Sequence, residues 1–336
     1  MGRREADAGM RSPLLITPTA WVRRHVVSQL PGVDLDSPLR GKTIVVTGAS
    51  SGIGEATALA VAERGAVVLL VARRADQLAR VVDAVERRGG VAHAYPCDLT
   101  VPSSVDALVA RMLDEHSAID MLVNNAGRSI RRSLALSYDR AHDFERTMAI
   151  NYFGPVRLIL GLLPQMVERR SGHVVNVLTW GVQVKAPKFA AYIASKAALD
   201  TFSRIAGRET YGDGVTFTNV RLSLVRTEMI GPTDSYRRAP ALSPEQAAAK
   251  VVRALEDRPL TISTAVGNIS EFANLLAPRL SDAVSWRFSM LFPDSPAAAR
   301  RHTNAARPRG GLPRYAGDLT HPTGDLPWEA GDRHGE

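Results

Sequence analysis

Tyr192 and Lys196 open an amphipathic run, Tyr192-Ile193-Ala194-Ser195-Lys196. On a helix this spacing puts the two side chains on one face. A phenol with a pKa of about 10 is a poor acid or base at neutral pH. A neighbouring ammonium favours the phenolate and is expected to pull that pKa down. The pair would then work as a tuned proton donor or acceptor. The spacing is common among helices, so its meaning depends on the residues that accompany it.

A second group is the loop Thr47-Gly48-Ala49-Ser50-Ser51-Gly52-Ile53-Gly54. It lies where an apolar run gives way to an amphipathic one. Gly48 permits a tight turn, Gly52 lets backbone approach a ligand, and Gly54 lets a helix pack close to a strand. Backbone from Ser50, Ser51 and Ile53 at the helix start then faces a pyrophosphate. The next apolar run ends Val71-Ala72-Arg73-Arg74, with no acid. A site for NAD usually has an acid there to accept from the ribose 2′-hydroxyl, whereas arginine suits a 2′-phosphate. Arg73 and Arg74 therefore predict NADP(H). The alternative, two solvated arginines at a helix start, opposes the helix dipole.

The elements that must position these residues follow from hydrophobic patterning. Strands are expected over 43–47, 67–72, 91–95, 119–123, 174–178 and 216–222. Helices are expected over 53–64 and 74–88, with another before the fourth strand. Continuous apolar strands alternating with helices predict a single α/β domain over 41–292, a doubly wound parallel sheet of Rossmann-like type. Ser243 and Gln246 have capping-box spacing around Pro244, which marks a further helix start. A last strand and amphipathic helical material are expected within 259–292.

Two extensions flank this domain. In residues 1–40, Val22, Val26, Val27 and Leu30 form one stripe that Pro31-Gly32 ends, read as a helix on the domain body or on a membrane surface. Residues 293–336 are rich in Pro, Gly, Arg and Asp and are expected to be a flexible tail.

The chain has 336 residues, of which 45% are hydrophobic and 23% charged, an ordinary globular balance. Cys97 stands alone, so no internal disulfide can form and a reducing, cytoplasmic setting is expected. No secretory signal fits. No apolar run is long enough to span a bilayer. The net charge of +8 comes largely from arginines scattered among acids. That pattern, without a basic helix carrying aromatics, argues against nucleic acid. No metal site is expected.

Together these motifs resemble the short-chain dehydrogenase/reductase family over roughly residues 41–230. The residues that carry the resemblance are the Gly48–Gly54 loop, Cys97-Asp98-Leu99, Asn124-Asn125-Ala126-Gly127, Asn151, Tyr192-x-x-x-Lys196 and Thr227. The resemblance implies a catalytic set of Asn151, Thr179, Tyr192 and Lys196 acting on a carbonyl. Tyr192 would donate the proton, and Lys196 would hold the nicotinamide ribose and lower the pKa of Tyr192. Asn151 would support a proton-relay water. Asp98 and Leu99 would lie beside adenine, Asn125 near the adenosine side, and Val225 and Thr227 at the carboxamide and phosphates.

The sequence departs from the family pattern at two places. Thr179 occupies the serine position and keeps the hydroxyl while adding a methyl group. Ser223-Leu224 stands where the family has Pro-Gly, which puts the contacts of Val225 in doubt.

A narrower resemblance, carried by NNAGRSIRRSL from Asn124, RTMAINYFG from Arg146, PKFAAYIASKAALDTF from Pro187, LVRTEMIGPT from Leu224 and LFPDS from Leu291, is to the reductase domain of bacterial fatty acyl-CoA reductases. It implies a lipophilic substrate, a long-chain acyl-CoA or fatty aldehyde. A general ketone or alcohol oxidoreductase acting on steroids or 3-ketoacyl groups is the alternative, and a non-catalytic NADP-binding protein is the rival from another class. Arg128, Arg131 and Arg132, with Lys185 and Lys188, are expected at the cleft rim, where they could hold carrier phosphates. Cys97 lies beside the adenine residues, which argues against a covalent thioester route. Residues 227–244 are expected to form an apolar lid. The amphipathic stretch 272–292 could widen the pocket, pair subunits or touch a membrane. A homo-oligomer is expected.

Overall fold

The computed structural model describes residues 37–229, 240–290 and 294. The stripe within 1–36 and the tail over 295–336 lie outside the described residues, as do lid positions 230–239.

Parallel strands form one seven-stranded sheet in the order β3-β2-β1-β4-β5-β6-β7. They are β1 (Thr43–Thr47), β2 (Val67–Ala72), β3 (Val91–Pro96), β4 (Met121–Asn124), β5 (Gly172–Thr179), β6 (Val215–Leu222) and β7 (Thr261–Ile262). The helices are α1 (Gly52–Ala62), α2 (Ala75–Glu86), α3 (Pro102–Glu115), α4 (Ala141–Met148), α5 (Gly154–Glu168), α6 (Gly181–Val184), α7 (Ala190–Glu209), α8 (Pro244–Asp257), α9 (Ala265–Leu276) and α10 (Pro278–Met290).

Side chains alternate across each strand, so both faces of the sheet must be covered. Ile44 and Val46 of β1 pack with Val61 of α1, Leu78 of α2 and Val251 of α8. Val45 points the other way, into a cluster with Leu108 of α3, Leu158 of α5 and Leu199 of α7. The chain winds outward from β1 through β2 to β3, then returns to place β4 on the other side of β1. That reversal opens a crevice at the carboxyl ends of β1 and β4, where open α/β sheets bind ligands.

The expected elements are present, with shifts that have physical causes. The fourth strand starts at Met121 rather than at residue 119. Asp120 just before it accepts from the Thr43 amide at 3.0 Å and pairs with Arg169 at 2.9 Å, anchoring the other end of the sheet. The second helix begins after Arg74, whose backbone is extended at φ −95 and ψ 107. The capping box closes as the spacing required. Ser243 Oγ accepts from the Gln246 amide at 3.2 Å, and the Ser243 amide donates to Gln246 Oε1 at 2.9 Å.

One buried feature has no counterpart in the sequence reading. Asn124, Asn176 and Asn219 stand in register across β4, β5 and β6. Asn124 Nδ2 donates to Asn176 Oδ1 at 3.0 Å, and Asn176 Nδ2 donates to Asn219 Oδ1 at 3.3 Å. The row ends on Asp200 of α7, which accepts from Asn219 Nδ2 at 2.9 Å and pairs with Arg221. Buried amides must be partnered in this way. The row fixes strand register, since a slip of one residue would break it. It thereby aligns the ends of β4 and β5, from which much of the crevice is built.

Candidate active site

The Gly48–Gly54 loop connects β1 to α1. Gly48 and Gly52 have φ of +66 and +57, a region that side chains strain to reach. A Cβ at Gly54 would collide with the Gly48 carbonyl oxygen, so glycine sets the close approach of α1 to the strand. The loop is sewn to the tip of β4 through Thr47. Its hydroxyl donates to the Val123 carbonyl at 3.2 Å and accepts from the amides of Asn125 and Ala126, both at 3.0 Å. Asn125 Nδ2 donates to the Thr47 carbonyl at 2.9 Å. Asn125 thus braces the loop as well as facing the crevice. Arg80 adds a brace from α2, pairing with both oxygens of Glu55 and donating to the Ser50 carbonyl at 3.2 Å.

This loop forms one end of a cavity of about 1790 Å³. Every cofactor residue expected from the sequence lines it except Gly54, which acts behind the wall. Arg73 and Arg74 stand exposed at the end of β2. Asp98 lies nearby and is held below the usual carboxylate range. Burial pushes it up, but hydrogen bonds from the Thr100 amide and hydroxyl, with the charge of Arg73, outweigh that. Thr227 closes over the loop, such that a Cβ at Gly52 would lie 3.0 Å from its methyl group. Val225, after the Ser223-Leu224 departure, is buried, bridges to Leu242 and lines the cavity. A cradle that a Cβ would fill, a helix N-terminus and bulky arginines at the strand end together fit a nicotinamide dinucleotide.

The other end of the cavity carries the polar side chains of β5 and α7. Tyr192 and Lys196 share one face of α7, as their spacing required, and both line the cavity. Lys196 is buried, with Nζ donating to the Val177 carbonyl at 2.9 Å. Its pKa is pushed down to about 8 by burial. The phenol of Tyr192 goes the opposite way from expectation. Burial pushes it up to about 12, opposed by a hydrogen bond from the Thr179 hydroxyl. The expected lowering by Lys196 is corrected here, because desolvation dominates both groups.

Thr179 ends β5, and its Oγ1 accepts from the Gly181 amide at 3.1 Å, which orients the hydroxyl. Asn151 sits in a π-helical turn, Ala149–Phe153, a form often found at functional sites. It does not line the cavity. Its side chain accepts from the Arg128 amide and donates to the Arg128 carbonyl and to Ser195 Oγ, each at 2.9 Å. Its side chain therefore holds two walls of the site together. Gly127 leaves room for this, since a Cβ there would lie 2.9 Å from Asn151 Oδ1. Sequence reasoning missed Thr47 and Ser195. A strand-end threonine and a helix-interior serine carry no signal in a single sequence.

The rim differs from expectation in part. Arg128, Arg131 and Lys188 line the cavity. Arg132 does not. Its guanidinium is turned to Asp143, 3.4 Å away, where Arg140 also pairs. Lys185 adopts a left-handed backbone after α6 and lies off the cavity wall. Met229 and Pro240, at the two ends of the expected lid, line the cavity. So do Phe288 and Ser289 of α10, which brings the C-terminal amphipathic stretch into the wall.

Known proteins resemble this chain in sequence and fold. The sequence profile described as short chain dehydrogenase matches residues 42–237. An uncharacterized oxidoreductase of Mycobacterium tuberculosis is 46% identical over 278 residues, covering 82% of each chain. A fatty acyl-CoA reductase of Acinetobacter baylyi is 46% identical over 260 residues, covering 77% of this chain and 88% of that one. The crystal structure of a 3-oxoacyl (acyl-carrier-protein) reductase from Agrobacterium tumefaciens with NADP bound superposes with a TM-score of 0.59 at 28% identity, covering 64% of this chain and 87% of the other. Its fold, the glycine cradle and the extent of these matches show that the chain belongs to the short-chain dehydrogenase family of oxidoreductases.

Proposed function

We propose that the protein uses NADP(H) to reduce the carbonyl of a lipophilic substrate, a long-chain fatty acyl-CoA or fatty aldehyde. The observation that carries this reading is the placing of the Tyr192 phenol, the Thr179 hydroxyl and the Lys196 ammonium in the wall of the cavity that the glycine cradle also lines. NADPH, when bound, supplies hydride to the carbonyl carbon. Tyr192 gives its proton to the carbonyl oxygen while Thr179 donates a hydrogen bond to the same oxygen as charge develops there. Lys196 holds the nicotinamide ribose and stabilises the phenolate that Tyr192 becomes. With a thioester, the tetrahedral product is a hemithioacetal. Its hydroxyl returns a proton to the Tyr192 phenolate as the C–S bond breaks, the thiolate takes up that proton in turn, and an aldehyde and a free thiol remain. No cysteine is needed, and Cys97, buried with its thiol pushed up by burial, is poorly suited to attack.

Two facts support the finer parts of this reading. No acid stands at the end of β2, and Arg73 and Arg74 line the cavity there, which suits a 2′-phosphate. Arg73→Ala is therefore expected to narrow the preference for NADPH over NADH by roughly ten- to a hundredfold, the worth of a charge-assisted contact. Equal dissociation constants for the two cofactors in the unaltered protein, measured by fluorescence titration, would remove the NADP assignment. The relative named fatty acyl-CoA reductase supports the substrate class.

Arg128 and Arg131, which line the cavity, would hold carrier phosphates. Such contacts act equally on ground and transition states, so an Arg128→Ala/Arg131→Ala variant should raise KM for acyl-CoA more than it lowers kcat. Screening should also make that KM rise with salt. An uncharged long-chain aldehyde should show neither effect. If steady-state kinetics show both substrates responding alike, the arginines have no phosphate role.

A further inference from the structure

Helices α9 and α10 carry their amphipathic pattern inside out. α9 turns Gly267, Ser270 and Asn274 toward the body. There Asn274 Nδ2 donates to the Gln183 carbonyl at 2.9 Å, and Gln183 Nε2 donates to Asn268 Oδ1 at 2.9 Å and Glu271 Oε2 at 2.8 Å. α10 turns inward a stripe of Ser281, Ser285 and Ser289, one residue per turn. Lys188 Nζ donates to the Ser289 carbonyl at 3.3 Å, and beyond α10 Asp294 accepts from the Ser133 amide at 3.0 Å. The polar inner faces are thus fastened to the protein. The apolar side chains point away from it. Ile269, Phe272 and Leu275 of α9, and Leu280, Val284 and Trp286 of α10, are each at least 60% exposed. A helix at a protein–water boundary shows the reverse pattern, and a contiguous apolar surface of this kind marks an interaction site.

We propose that the outer face of the α9–α10 hairpin docks on an anionic lipid bilayer and sets the mouth of the catalytic cavity against it. Two observations choose this occupant. Arg279 and Arg287 are exposed among the apolar side chains and outnumber Asp282, the exposed acid of α10, and the chain carries a net charge of +8, which complements anionic headgroups. The patch is also continuous with the cavity, because Phe288 is both 60% exposed and part of the cavity wall. Trp286 and Phe272 are suited to the headgroup boundary. Among the described residues no helix is long and apolar enough to cross a membrane, so the contact is one of surface helices lying in the interface. The choice of a bilayer as the source of the ligand rests in part on the lipophilic substrate proposed above.

Flotation of the full chain on a density gradient tests this without any turnover. The probes are vesicles of phosphatidylcholine and phosphatidylglycerol in equal parts, and vesicles of phosphatidylcholine alone. The protein is expected to float with the anionic vesicles and to be released by salt. Leu275→Glu/Leu280→Glu, at two exposed positions outside the cavity wall, should lower the bound-to-free ratio at least about tenfold and leave the lipid-free melting temperature unchanged. Failure to float with anionic vesicles overturns the proposal. So does a variant that splits a dimer in sedimentation velocity, which would assign the face to a second copy. A lowered melting temperature in that variant would assign the face to another segment of this chain and overturns it equally. Vesicle binding without reduction of any long-chain substrate would remove the functional reading and leave the docking surface standing. Reduction without vesicle binding would do the opposite.

Discussion

Tyr192→Phe is expected to lower kcat at least about a hundredfold while leaving NADPH binding intact, the usual contribution of a positioned general acid. The ring stays and the packing of α7 is kept, so the change isolates the hydroxyl. Burial holds the phenol protonated, with its pKa at about 12, which is the form needed to give a proton to a carbonyl oxygen. The difficulty lies in the phenolate that remains, and the Thr179 hydroxyl, hydrogen-bonded to Tyr192, is the group at hand to stabilise it. Lys196, on the same face of α7, is pushed down to about 8 by burial, and an anion on that face would favour its charged form. Lys196→Ala should therefore weaken both cofactor binding and turnover, a different signature from that of the tyrosine variant. Single-turnover kinetics with a separate cofactor titration distinguish the two. Undiminished turnover in the phenylalanine variant would mean that another group protonates the product.

Thr179→Val is expected to lose roughly 2–4 kcal/mol of transition-state stabilisation, read as a fall in kcat/KM of about thirty- to a thousandfold. Valine keeps the volume and the β-branched shape and removes the donor. The amide of Gly181 donates to the threonine oxygen at 3.1 Å, so the hydroxyl hydrogen is turned elsewhere, toward Tyr192 and the cavity. Thr179→Ser keeps that hydroxyl and should remain active, with a pocket enlarged by one methyl group. An active valine variant would show that position 179 shapes the cavity and nothing more.

Much of the frame that places these groups was legible in the sequence, for a physical reason. Strands buried on both faces read as unbroken apolar runs, and helices between them read as periodic ones, so β1, β2, β5 and β6 fell close to their expected bounds. The glycine loop was legible because its job is backbone geometry, which residue type alone dictates at Gly48 and Gly52. Tyr192 and Lys196 were legible because helical spacing fixes a shared face.

What failed depended on three-dimensional partners. The direction of the Tyr192 shift could not be read, since nothing in the sequence shows how far burial desolvates the phenol. Arg132 was misplaced at the rim because Asp143, which draws it away, lies on a separate helix. The asparagine row across β4, β5 and β6 was invisible because register is a property of strand pairs. The inside-out faces of α9 and α10 were hidden for a related reason. Periodicity shows that a helix has an apolar face, but packing decides which way that face turns.

The proposed activity of the Tyr192 site is reduction of a lipophilic carbonyl at the expense of NADPH. Its most direct test is one assay that follows NADPH absorbance and free thiol together, with a long-chain acyl-CoA as substrate, in the unaltered protein and in Tyr192→Phe. Loss of NADPH accompanied by release of coenzyme A thiol, with both signals falling at least about a hundredfold in the variant, is the predicted result. Absence of NADPH oxidation with acyl-CoA and with long-chain aldehyde alike, or an equal rate in the two proteins, would contradict it.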